Sequence, residues 1–137
     1  MPDSVKRAEY CYVTVDDKSG EAARLLDALR QAGVDLLAFH AFPVGVKSQL
    51  DLFARDGVKL AAAAAKAGVK LSSKKTAFLI EGLDHPGAMA ELLGKLSAAR
   101  VNVTACEGIT AGGGTFGALV WVRQPDVEKA AQVLGAK

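Results

Sequence analysis

A chain of 137 residues suits one ordinary domain or two very small ones. Half of its residues are apolar and 23% are charged, which excludes a disordered polymer. The net charge of +2 is too small for the dense basic face of a nucleic-acid binder, and no apolar run approaches the ~20 residues of a membrane span. The local basic cluster Lys70, Lys74 and Lys75 reads as a solvated connector. The start Met1-Pro2-Asp3-Ser4 has no charged segment leading into an apolar one, so a cytoplasmic location is expected. Cys11 and Cys106 lie inside apolar strand patterns and read as reduced thiols serving as small core residues.

In chain order, Glu9 to Val15 is rich in aromatic and β-branched residues and predicts a strand. The turn Asp16 to Gly20 follows. Ala22, Leu25, Leu26, Leu29 and Ala32 then recur at helical spacing, an apolar stripe that Gly33 terminates. Val34 to Phe42 predicts a second strand, Pro43-Val44-Gly45 a turn and Leu50 to Ala54 a third strand. Val58 to Ala67 predicts a second helix stopped by Gly68, and Val69-Lys70-Leu71 a short fourth strand. The same order then recurs. Ala77 to Glu81 is a strand, Asp84-His85-Pro86-Gly87 a turn, and Met89, Leu92, Leu93, Leu96 and Ala99 a helical stripe. Val101 to Cys106 is a second strand, Ala111 to Gly114 a hairpin turn, Gly117 to Val122 a third strand and Val127 to Leu134 a helix. No fourth strand follows in this half.

Sliding the chain by 67 residues lays Asp17 on Asp84, Gly20 on Gly87, Leu25 on Leu92, Leu29 on Leu96 and Val34 on Val101. The match carries the turn residues at both helix ends as well as the helix between them. The expected fold class is α+β: two ferredoxin-like βαββαβ sandwich units, residues 1–73 and 74–137, the second lacking a clear last strand. Each unit is marginal in size for a private core. Tyr10, Tyr12 and Leu79 place apolar side chains on the sheet faces away from the helices. The two copies are therefore expected to pack together or to dimerise with another chain.

The run Leu83-Asp84-His85-Pro86-Gly87-Ala88-Met89-Ala90-Glu91-Leu92-Leu93, followed by Ala99-Arg100-Val101-Asn102-Val103, resembles the ACT domain. That family shows Asp or Asn, any residue, Pro-Gly, a Leu-rich helix, and then Gly-Val/Ile-Asn-Ile at the second strand. The first half resembles a weaker member: Asp17-Lys18-Ser19-Gly20 has Ser in place of Pro, and Gly33-Val34-Asp35-Leu36 has Asp in place of Asn. Gly82 and Val15 stand two positions before the motif's Asp, where several members carry a His or polar residue, so that contact is missing. The resemblance implies amino-acid-responsive regulation, usually of an attached or associated metabolic enzyme, here by a free-standing tandem ACT protein. It also implies a ligand held where one unit's turn meets another unit's second strand, at a domain or subunit interface. The candidate ligand-binding residues are Asp84, His85, Pro86, Gly87, Ala88, Met89 and Asn102 in the second half, and Asp17, Lys18, Ser19, Gly20 and Asp35 in the first.

The chemistry of these residues supports that reading independently. A helix start offers unpaired N–H groups and the positive end of the dipole, which suits a carboxylate. Pro86 suits the first turn, where its missing N–H is not needed, and Gly87 lets a ligand approach the backbone. Asp84 can accept from an ammonium, and Asn102 can both donate and accept. A purely structural reading stays open beside this one. Asp84 would then cap the helix or satisfy the turn, Asn102 would serve the strand entry, and Gly20 and Gly87 would be conformational.

Nothing in the pattern points to catalysis. His85 lies in the exposed turn and His40 alternates on a strand as a structural or surface residue, and neither has partners at metal-ligand spacing. Gly112-Gly113-Gly114-Thr115 lacks the Lys and helix of a phosphate loop and reads as a hairpin. Asp16 and Asp17 are adjacent rather than spaced for acid–base work, Ser19 has no positioned base, and Trp121 packs. The expectation is a non-enzymatic protein without cofactor or metal. Its partners would be a small-molecule amino acid, a second copy in a homodimer and possibly an enzyme, with no nucleic acid and no membrane. Two rivals remain: an interaction module or regulatory subunit that binds no metabolite, and an RNA binder stacking bases on Tyr10, Tyr12 and Phe53.

Overall fold

A computed structural model describes residues 4–137. The elements in order are β1 (Ser4–Asp16), α1 (Glu21–Gln31), β2 (Leu36–Val44), β3 (Lys47–Ala54), α2 (Gly57–Lys66), β4 (Lys75–Leu83), α3 (Ala88–Ala98), β5 (Val103–Ile109), β6 (Thr115–Val122), a short 3-10 turn (Gln124–Asp126) and α4 (Val127–Leu134). The α+β class with ferredoxin-like units is borne out. Two compact units emerge: Glu9–Lys75, and Thr76–Lys137 together with residues 4–8. The second grouping departs from a simple division after residue 73, because the start of β1 belongs with the C-terminal half.

In the unit Glu9–Lys75 the strand order is β2-β3-β1, all antiparallel. Val13, Leu25, Leu29, Leu50, Leu52, Leu60 and Ala63 form its buried core between sheet and helices. The predicted fourth strand Val69–Leu71 is not a strand. The Val69 N–H is spent on the Ala64 carbonyl at the end of α2 (2.9 Å), and Ser72 rather than the preceding backbone meets β1. Its N–H donates to the Tyr12 carbonyl, while its hydroxyl accepts from the Tyr12 N–H, each at 2.9 Å. Pro43 and Val44, expected in a turn, continue β2 opposite Ser48 and Lys47. An edge strand tolerates a proline because no neighbour needs its N–H.

Alternation along β3 puts Leu50 and Leu52 on the helix side and Asp51 and Phe53 on the opposite face. That face is not open: Phe53 is 1% exposed, Tyr10 is 9% exposed, and their rings stack with centroids 4.8 Å apart. Rings so buried offer no platform for nucleobases. Asp51, 3% exposed, stands between Tyr12 on β1 and His40 on β2 and accepts a 3.0 Å hydrogen bond from Gln49 Nε2. Burial pushes its carboxyl above the usual range, while the Gln49 bond and the nearby His40 pull the other way.

In the other unit the order is β1-β4-β6-β5. Its core holds Phe78, Ile80, Leu92, Leu96, Val101, Phe116, Val120 and Leu134, with Val5 packed against it. This half supplies no last strand of its own, as expected, and the start of β1 stands beside β4 instead. The Arg7 N–H donates to the Lys137 carbonyl (3.0 Å), and the Lys137 N–H donates to the Val5 carbonyl (3.2 Å). The Arg7 guanidinium grips Glu128 through two hydrogen bonds of 2.5 and 3.0 Å, which hold the Glu128 carboxyl below its usual range. Cys106 is exposed rather than a core residue, because β5 lies at the end of the strand order. Cys11 is half-buried, and burial raises its thiol pKa. Trp121 is buried. No helix among the described residues is long and apolar enough to cross a membrane.

Two outcomes are expected from this architecture. Deleting residues 1–8 removes the strand beside β4 and the Arg7 clamp. It should cost on the order of 2–4 kcal/mol in urea denaturation, with self-association in sedimentation velocity as the bared edge finds partners. Asp51→Asn acts through pH. A carboxyl whose folded pKa is raised favours the native state when protonated, and that contribution is lost as pH rises through the folded value. The variant should therefore melt about 2–4 °C higher than the parent at pH 7, and the difference should vanish near pH 3.

Candidate functional site

The strand-to-helix corner of the C-terminal unit begins where β4 ends. The Asp84 N–H donates to the Gly114 carbonyl (2.9 Å), so the glycine hairpin between β5 and β6 pins the corner. The Ala88 N–H donates to the His85 carbonyl (3.2 Å), and the Glu91 N–H donates to the Gly87 carbonyl (3.0 Å) as α3 starts. Gly87 is the N-cap with φ 86° and makes no side-chain cap bond. Only glycine adopts that left-handed conformation without strain. Asp84 therefore does not cap α3, and among the described residues its carboxylate makes no hydrogen bond or ion pair. The Met89 and Ala90 N–H groups likewise have no acceptor among those residues. His85 turns its Nδ1 to the Pro86 carbonyl at 2.9 Å, with Nε2 4.0 Å from Glu91.

An open cavity of ≈ 350 Å³ lies against this corner. Asp84, His85, Gly87, Ala88, Met89 and Ala90 line one side, and Gly108, Ile109, Thr110 and Phe116 the other. Most of the predicted residues of the second half thus converge there. The far wall from β5 and β6 was not anticipated. A glycine inside a strand was the available signal: a Cβ on Gly108 would stand 3.0 Å from Met89 Sδ, so Met89 lies flat on β5 because residue 108 has no side chain.

Asn102 is not part of this cavity. It follows the far end of α3, past Arg100 in a left-handed conformation (φ 61°), and lines a separate depression of ≈ 440 Å³ with Leu93, Ser97, Arg100, Val101 and Val103. Eleven residues of α3 set the two ends roughly 16 Å apart. One small ligand cannot touch Asp84 and Asn102 of the same unit.

The corner of the N-terminal unit has the same backbone, shifted by 67 residues. The Asp17 N–H meets the Val46 carbonyl (3.3 Å), the Glu21 N–H the Lys18 carbonyl (3.3 Å) and the Arg24 N–H the Gly20 carbonyl (2.9 Å), with Gly20 at φ 90°. The exit of α1 matches that of α3 as well: Val34 N–H to Leu29 carbonyl corresponds to Val101 N–H to Leu96 carbonyl. The chemistry differs. Asp17 accepts a 3.0 Å hydrogen bond from the Ser48 hydroxyl. Asp16 is held by Lys47 at 2.6 Å, which depresses its carboxyl pKa. Asp35, the counterpart of Asn102, is paired with Arg55 at 2.6 Å. Glu21, at the first position of α1 where the other copy has Ala88, is largely buried between Lys18 and Arg24. Here the protein's own carboxylate already sits at the dipole's positive end. Lys18, Ser19 and Gly20 are exposed at the surface of this corner.

Among the described residues no three His, Cys, Asp or Glu side chains are grouped to hold a metal ion. No protein-family model matches the chain, and no curated protein matches its sequence. Solved structures do. A protein from Bacteroides thetaiotaomicron superposes with a TM-score of 0.82 at 20% identity, over 96% of this chain and 88% of its own. The regulatory subunit of aspartate kinase from Thermus thermophilus superposes with a TM-score of 0.64 at 14% identity, covering 98% of this chain and 96% of the other. The corresponding Thermus flavus subunit gives 0.59 at 15% identity, with the same coverage. The chain shares the fold of these structures. Both units carry the corner as their strand-to-helix junction, so its backbone conformation is a structural requirement first. Gly87→Ala adds a Cβ that meets nothing within 4 Å. Its cost should be backbone strain alone, about 1–2 kcal/mol by chemical denaturation, and Gly87→Asn should recover part of it.

Proposed function

We propose that this chain is a non-enzymatic regulatory protein that binds a small amino acid or related metabolite at the corner from Asp84 to Met89. The observation that carries the reading is the coincidence, at one cavity, of a carboxylate and two backbone N–H groups that the described protein leaves unsatisfied. A free amino acid presents the complementary pair, an ammonium for Asp84 and a carboxylate for the Met89 and Ala90 amides at the start of α3. Pro86, Gly87 and Ala88 shape the corner, and His85 borders it. Asn102 serves the site across a subunit interface, since it cannot reach the corner of its own unit; a homodimer in the cytoplasm is the assembly proposed. Binding then biases association or orientation, which is how a site without catalytic groups transmits a signal. Proteins of similar fold are named regulatory subunits of aspartate kinase, and a partner enzyme is proposed here by analogy.

The N-terminal corner is read as ligand-free. Asp17, Asp35 and Glu21 already have partners, and an incoming carboxylate would meet Glu21 at the helix start. The same self-satisfied corner favours the second reading: a regulatory subunit of a metabolic enzyme in which both units serve assembly and no metabolite binds.

Calorimetric titration of the full chain with the twenty amino acids at millimolar concentration separates the two. Ligand sensing predicts one site per chain with micromolar or weaker affinity, given the few heavy atoms of such a ligand. Asp84→Ala should weaken binding at least tenfold, and Asp17→Ala should leave it unchanged. Silence from all twenty, with a stable partner co-purifying from native lysate, would establish the interaction module instead.

A further inference from the structure

We propose that the site takes an amino acid with an uncharged, apolar side chain of aliphatic or thioether type, an inference that rests on reading the Asp84–Met89 corner as an amino-acid site. Asp84 is the one carboxylate side chain lining the cavity, and the ligand's ammonium consumes it. A basic ligand side chain would find no second carboxylate. An acidic one would find no lysine or arginine in the walls, and the His85 Nδ1 is committed to the Pro86 carbonyl. At so open a site a charged ligand side chain stays in solvent and gains no partner from these walls, whereas an apolar one covers Met89, Ile109 and Phe116.

The remaining wall presents the apolar side chains of Met89, Ile109 and Phe116. The absence of a side chain at Gly108 leaves the space in which Met89 lies against β5, and its thioether forms the floor of the cavity. Phe116 is buried at the back, and Ile109, 69% exposed, forms the outer rim. Thr110 is also in the lining, but its hydroxyl donates to the Thr115 carbonyl at 2.8 Å, so it is not a free donor for a polar ligand side chain. A volume of ≈ 350 Å³ lies at the low end of the range for small-molecule sites. It accommodates a branched or thioether side chain once the ammonium and carboxylate are placed at the corner.

The test is competition on the full chain, read as thermal shift and calorimetry, with leucine, valine and methionine set against aspartate and glutamate, and against lysine and arginine. The apolar group should bind at least tenfold more tightly than either charged group. Ile109→Lys places a cation on the exposed rim with little risk to folding. It should weaken leucine and strengthen aspartate or glutamate, narrowing or reversing the preference. Charged amino acids binding the parent as tightly as leucine, with binding still abolished by Asp84→Ala, would overturn the side-chain class and leave the corner as a site. Absence of binding by all of them would remove the site itself, and this proposal with it.

Discussion

A single left-handed residue between a strand and a helix is the constraint on which this structure depends. At Gly20 and again at Gly87 the chain must leave a strand, reverse, and lay a helix back across the sheet within four residues. A residue with a Cβ resists the required φ, so glycine occupies both corners. The same geometry governs function. Because the N-cap is a glycine without a side-chain acceptor, the first turn of α3 keeps N–H groups that a Ser or Asp cap would have consumed. The hairpin glycine carbonyl that receives the Asp84 N–H fixes the corner against β6.

The two units share this backbone and differ in charge. The N-terminal corner carries Glu21, paired with Arg24, where the C-terminal one carries Ala88; its candidate Asp17 is engaged by Ser48, and Asp35, past the far end of α1, by Arg55. The duplicated backbone geometry therefore carries unequal electrostatics in the two units. Exposed ion pairs of this type contribute little to stability.

Much of the architecture was legible because it is local. The helical stripes, the strand alternation and the shift of 67 residues follow from periodicity and turn chemistry. The α4 segment Val127–Leu134 falls where its apolar spacing placed it. What was misread involved long-range competition. Val69–Leu71 has a strand-like composition, but its first N–H closes α2. Cys106 has a core-like neighbourhood in sequence, but its strand ends the sheet. Tyr10 and Phe53 lie far apart in the chain, and only the register of β1 against β3 brings them together.

By itself the sequence determined the fold class, the repeated corner and the near side of the proposed site, from Asp84 to Met89, because a glycine corner and a helix start are fixed by a few consecutive residues. Tertiary structure alone decided the far wall from Gly108 to Phe116, the separation of Asn102 from that wall, and the use of the chain's first strand to complete its last unit. Those features depend on which strands become neighbours. That choice is made by burial of apolar faces across the whole chain, and no short window of residues contains it.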